Sequence, residues 1–132
     1  MSGQKGFTLL EVMIAVFLLA VAIIGAASVT TSVIKSNSFS QTLTTATTLA
    51  KDKMEELKAS TYTAATQNAS MWTGTDYANA GGTVQASATG AYYSRLWTAP
   101  GTDTKIITVT VTWPTNQTVQ RTVELKTIRA SD

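Results

Sequence analysis

Glu11 is a lone carboxylate between Leu10 and Val12, and from Val12 to Ile34 there follow 23 residues without a charge. A carboxylate in such a run costs roughly 3 kcal/mol at mid-membrane unless a cation pairs with it. The chemistry open to Glu11 is therefore ion pairing, and the question it poses is which cation is its partner. Other residues offer less. Asp52, Glu55 and Glu56 can present oxygens to a metal from one helix, but Lys51, Lys53 and Lys58 interleave with them, and a solvated charged face is the better reading. Trp72, Tyr77, Tyr92, Tyr93, Trp97 and Trp113 have the chemistry to stack on sugars or single-stranded DNA; core and edge packing of a small head accounts for most of them. Asn68-Ala69-Ser70 and Asn116-Gln117-Thr118 fit the glycosylation triplet, in a chain so rich in Ser and Thr that chance matches are expected. Hydroxyl nucleophiles abound, yet there is no histidine to act as base and no cysteine to act as thiolate or ligand. The expectation is a protein that is not an enzyme and takes no cofactor and no metal.

The elements that must position Glu11 are legible in the hydropathy pattern. The apolar run exceeds the ~20 residues a helix needs to cross a bilayer. An ordinary secretory signal would end at a small-residue cleavage site; here the apolar run follows Gly6 directly. Lys5 and the start amine lie on one side and Lys35 on the other, so the charge bias is slight, and the short N-terminal segment is expected inside with the larger part crossing. Charged residues make up only 14% of the chain, below the ~25% of ordinary soluble domains, and a net charge of +2 gives no argument for nucleic acid.

Helical periodicity continues beyond the apolar run. Phe39, Leu43, Ala46, Ala50, Met54 and Leu57 recur at steps of three and four. A single helix over Phe7–Lys58 would measure about 78 Å. Thr42–Thr48 has poor intrinsic helix propensity, so packing of the apolar stripe must hold it. Gly25 is a soft point, and no proline precedes Pro100. Ala59–Ala91 reads as irregular, punctuated by Gly74, Gly81, Gly82 and Gly90, with Met71, Trp72 and Tyr77 pinning it to the core. Strand composition returns at Ala91–Thr98, Pro100-Gly101 makes a turn, and Lys105–Trp113 alternates with Ile107, Val109, Val111 and Trp113 on one face. After a turn at Pro114–Gln117, Thr118–Ile128 alternates again, with Val119, Val123 and Leu125 inward and Arg121 breaking the row. The expected fold class is α+β: one long N-terminal helix, half transmembrane and half amphipathic, packed on a small C-terminal antiparallel sheet of three or four strands. The expected divisions are 1–6, 7–34, 35–58 and a head at 59–132, itself an irregular loop (59–91) and strands (92–129).

The segment Gly6-Phe7-Thr8-Leu9-Leu10-Glu11-Val12-Met13-Ile14-Ala15 resembles the cleavage and methylation segment of type IV prepilins and type II secretion pseudopilins. The resemblance implies a leader at 1–6, cleavage after Gly6 by prepilin peptidase, N-methylation of Phe7, and Glu11 as the fifth mature residue. It also supplies a partner for Glu11, the terminal ammonium of the same or a neighbouring subunit. The single Lys5 is a departure from leaders with more basic residues. Farther on, Leu49–Lys58, Ile107–Trp113 and Arg121–Ile128 are similar to the small PilV-like minor pilins and to minor pseudopilin I of type II secretion. The missing membrane-helix proline and C-terminal cysteine pair fit a minor subunit, and Glu11 argues against the capping pseudopilin. The implied function is a minor type IV pilin, a structural subunit of a pilus or its priming complex. The alternatives are a minor pseudopilin of type II secretion or a pilus-associated adhesin or DNA-uptake subunit. The implied partners are other pilin or pseudopilin subunits, prepilin peptidase and an inner-membrane assembly platform. The implied location is the bacterial inner membrane, N-in/C-out, and then a periplasmic or extracellular filament.

Overall fold

The computed structural model describes residues 6–61, 70–115 and 119–130. The chain forms two compact units, Met1–Phe39 and Ser40–Asp132, and helix α1 (Leu9–Ala59) contributes to both. In the first unit every described side chain of the apolar run is exposed, from Phe7 and Leu9 to Val33 and Ile34. A helix that is apolar all round, with nothing packed on it, belongs in a bilayer or between other helices. By length and composition it can cross a membrane. Three of its hydroxyls fit that setting, satisfied one turn back: Ser28 Oγ donates to Ile24 O at 3.1 Å, Thr30 Oγ1 to Ala26 O and Thr31 Oγ1 to Ala27 O, both at 3.0 Å.

The second unit is built on the rest of α1. Thr44, Thr45 and Thr47 donate in the same way to Ser40, Gln41 and Leu43 carbonyls, so these hydroxyls are accommodated within the helix. Ala46, Leu49, Ala50, Lys53, Met54 and Leu57 form the buried stripe. It packs on a five-stranded antiparallel sheet of β1 (Thr73–Ala78), β2 (Val84–Gln85), β3 (Tyr93–Thr98), β4 (Thr104–Pro114) and β5 (Gln120–Ala130), in the order β2-β1-β3-β4-β5. Tyr93, Ile107, Val109, Val111 and Trp113 fill the core from the sheet side, with Trp72 closing one end. Asn79 builds the β1–β2 turn, its Oδ1 accepting from Gly81 N–H and Thr83 N–H, both at 3.0 Å. The β3–β4 connection bends at Gly101, whose φ of 120° is open to glycine and strained for other residues.

Four basic groups are drawn into the interior of the second unit or its margin. Arg95 on β3 stands opposite Asp76 on β1. Its Nε and Nη2 reach the two carboxylate oxygens at 2.8 and 2.6 Å, and Nη1 donates to the helix carbonyl of Leu49 at 3.0 Å. One guanidinium thus ties two strands and the helix together. Lys105 is buried, donates to the Ala99 and Gly101 carbonyls at 3.2 and 2.9 Å, and lies 5.0 Å from the Trp72 ring centroid. Burial pushes its ammonium below the usual lysine range. Lys53 sits 4.0 Å over the Trp97 ring and pairs with Glu56 at 2.8 Å. Arg129 donates to the Leu57 carbonyl at 3.1 Å and to that of Ser60, capping the end of α1 with a cation.

Trp97 also explains Gly74. The two face each other in register, and a Cβ at position 74 would lie 2.5 Å from Trp97 Cζ2. Gly74→Ala is therefore expected to destabilise the head by about 1–3 kcal/mol through overpacking. Thermal unfolding of the full chain in detergent, followed by near-ultraviolet circular dichroism, measures this directly; an unchanged midpoint refutes the packing account.

The structure corrects several expectations. The stretch 59–91 is not irregular throughout, since it holds β1 and β2, and the sheet has five strands rather than three or four. Lys53 belongs to the buried stripe, where Trp97 receives its ammonium. Phe39 and Leu43, which share the helical period, are exposed. Of the expected pins, Trp72 is buried, Tyr77 half-buried and Met71 exposed. Val119 precedes β5 and is exposed, and Arg121 lies exposed on the edge strand β5, its Nε donating to Thr115 Oγ1 at 3.1 Å. Asn68, Ala69 and Asn116–Thr118, the bulk of both glycosylation triplets, lie outside the described residues, as does Lys5.

Candidate processing and assembly site

Gly6, Phe7 and Thr8 precede the helix and α1 begins at Leu9. Thr8 is the N-cap. Its Oγ1 accepts from Glu11 N–H at 3.3 Å, and its carbonyl accepts from Glu11 and Val12 N–H at 3.1 and 3.2 Å. Thr-x-x-Glu is the sequence signature of a capping box, and it places Glu11 in the first turn, where the helix dipole favours a negative charge. The Thr8–Glu11 spacing is itself the sequence signal for this cap.

Phe7 and Glu11 lie one helical turn apart and line one shallow groove with Val12, Ala15, Val16 and Leu19. Phe7 is 83% exposed. Among the described residues no cation lies within ion-pair distance of Glu11. The first turn thus presents an exposed carboxylate on an otherwise apolar surface, open to a cation from outside the described chain. Among the described residues nothing requires glycine at position 6, since a Cβ there would meet nothing within 4 Å.

Among the described residues no three His, Cys, Asp or Glu side chains are grouped to hold a metal ion. Trp72, Tyr93 and Trp113 are buried in the core. Trp97 is half-buried with its Nε1 donating to Met71 O at 2.8 Å, and Tyr92 packs edge-on against Tyr93. These aromatics form part of the interior and its margin, not a row of open stacking faces.

Residues 1–27 match the family described as the prokaryotic N-terminal methylation motif. No curated protein and no solved structure matches the chain. The match covers Gly6, Phe7 and Glu11, and it supports the type IV pilin and pseudopilin family and a prepilin-peptidase type of substrate.

Proposed function

Starting from a pilin-type N-terminus, we propose that this chain is a minor type IV pilin, a structural subunit of a pilus or of the complex that primes one. The observation that carries the reading is Glu11, exposed and without a cation on the described chain, at the head of an exposed apolar helix directly after Gly6-Phe7. Prepilin peptidase cuts after Gly6, and Phe7 becomes the N-methylated first residue. Cleavage creates an ammonium, and Glu11 takes that group as its partner from a neighbouring subunit. In low dielectric the two charges attract strongly, while either alone is costly. Assembly is then a transfer of the apolar helix from lipid to a bundle of like helices, in the register that satisfies both charges.

Before assembly the chain is held N-in/C-out in the inner membrane, where the platform that builds the fibre collects it. Its role is structural, with no reaction carried out by the head. A minor pseudopilin of a type II secretion machine shares the same start and the same physics. The two differ in where the mature protein is found: sheared surface fibres for the pilin, the cell envelope of secreting cells for the pseudopilin.

Mass spectrometry of the mature protein from cells carrying the peptidase tests the processing step. The expected N-terminal peptide begins at Phe7 and carries one methyl group. A peptide beginning at Met1 in those cells overturns the proposal.

A further inference from the structure

Among the described residues β5 has a neighbouring strand on one side only, so Gln120–Ala130 forms an edge of the sheet. The opposite edge is short, since β2 has two residues. β5 has 11, about twice the usual strand length. It contains neither proline nor glycine, so its backbone is uninterrupted, and the devices that guard the edge are its charges. An edge of this length is a template for one more antiparallel strand.

The charges on β5 are arranged about its midpoint. Leu125 is the central residue, flanked by Glu124 and Lys126 on the outward face. These two are well exposed and hold each other loosely, at 3.9 Å. Their register neighbours on β4 are Thr110 and Thr108, which carry no charge. Consider a second β5 laid antiparallel in the register that overlaps all of Gln120–Ala130. Leu125 then faces the second copy's Leu125, and each Glu124 faces a Lys126, giving two cross-strand ion pairs. Moving that pairing to the next register that keeps the same faces together sets Glu124 against Glu124 in one direction and Lys126 against Lys126 in the other. The intermediate registers bring inward and outward faces together and are excluded by the pleat. The full overlap also opposes Arg121 to Arg129 near each end, a like-charge cost. Both guanidiniums are oriented within their own chain, Arg121 toward Thr115 and Arg129 toward the end of α1.

We propose that β5 is a self-pairing edge: two copies join antiparallel through β5, centred on Leu125, into one continuous sheet with five strands from each. The occupant of the edge is a second copy of this chain because its own charge pattern is the one that complements it. The inference rests on the head alone and stands or falls separately from the processing of Gly6 and Phe7.

The chain has no cysteine, so single cysteines report directly. In an antiparallel pair, facing Cα atoms lie about 4.5–5.5 Å apart, within disulfide reach. Full-length Leu125→Cys in detergent or liposomes is expected to give a covalent dimer on mild oxidation, while Thr110→Cys, one strand inward, stays monomeric. A mixture of Val123→Cys and Thr127→Cys chains, which face each other in this register, gives the same dimer and serves if Leu125→Cys fails to fold. Glu124→Lys and Lys126→Glu are each expected to lower the dimer yield several-fold, and combining them in one chain restores it. Monomeric products from both cysteine experiments overturn the proposal. So does a dimer yield that neither charge reversal alters, or cross-linking of Thr110→Cys to the same extent.

Discussion

Replacing Arg95 with alanine is expected to destabilise the head by about 3–5 kcal/mol, the range for removing one partner of a buried ion pair. The side chain is 6% exposed and that of Asp76 18%, so the lower end of the range is the better expectation. A loss of about 3 kcal/mol lowers the unfolding midpoint by roughly 12–24 °C in a domain of this size. The effect is large because Arg95 serves three elements at once, through Asp76 on β1, its own place on β3 and the Leu49 carbonyl on α1. Its removal leaves a carboxylate at the helix–sheet interface with no cation. Asp76→Ala is expected to cost less, since the guanidinium keeps the Leu49 carbonyl. Combining Arg95→Ala with Asp76→Ala should cost less than the sum of the two single losses, because both charges are removed together. Thermal unfolding of the full chain in detergent checks all three. Additive losses in the double variant would show that the pair is not coupled.

Glu11→Ala tests the other end of the chain and acts on assembly instead of stability. Cleavage at Gly6 and folding of the head are expected to proceed, because Glu11 is exposed and lies outside the unit that contains the sheet. Incorporation into filaments is expected to fall by about two orders of magnitude, the loss of one charge pair in low dielectric at about 3 kcal/mol. Glu11→Gln keeps the size and should fail similarly, since the charge is what pairs. Losing the favourable position on the helix dipole costs only about 0.3–1 kcal/mol, too little to account for such a drop. Quantitative immunoblotting of sheared filaments against the cell-bound pool measures it. Unchanged incorporation of Glu11→Ala refutes the pairing role while leaving the processing signal untouched.

How far the fold was legible depended on where each residue's partners lie. Ile107, Val109, Val111 and Trp113 announce β4 by strict alternation, and Ala46, Ala50, Met54 and Leu57 announce the packed helix face by period. β1 has no such local signal. Thr73-Gly74-Thr75-Asp76 contains two residues of poor strand propensity, and both are held from outside, Gly74 by Trp97 and Asp76 by Arg95. Both partners lie on β3, beyond the β2 segment, so no window along the chain contains the cause. Lys53, Arg95 and Lys105 were illegible for a related reason: a basic residue reads as exposed until the carbonyls, ring or carboxylate that receive it are in place. At the N-terminus the order of Gly6, Phe7 and Glu11 needed no fold to be read. What the structure added there was Thr8 as the cap and the exposure of the surface that Glu11 interrupts.

The hydroxyls of Ser28, Thr30 and Thr31 have a consequence for movement between phases. Each carries its acceptor with it, one turn back on the same helix. On the proposed route from lipid to filament, these three hydroxyls would change neighbours without breaking or remaking a hydrogen bond. Glu11 is the group for which the two surroundings differ sharply. A helix with many environment-sensitive groups would be trapped on one side of such an exchange. On the proposed assembly route the apolar half of this helix places its one charged group, Glu11, where lipid and protein surroundings differ most.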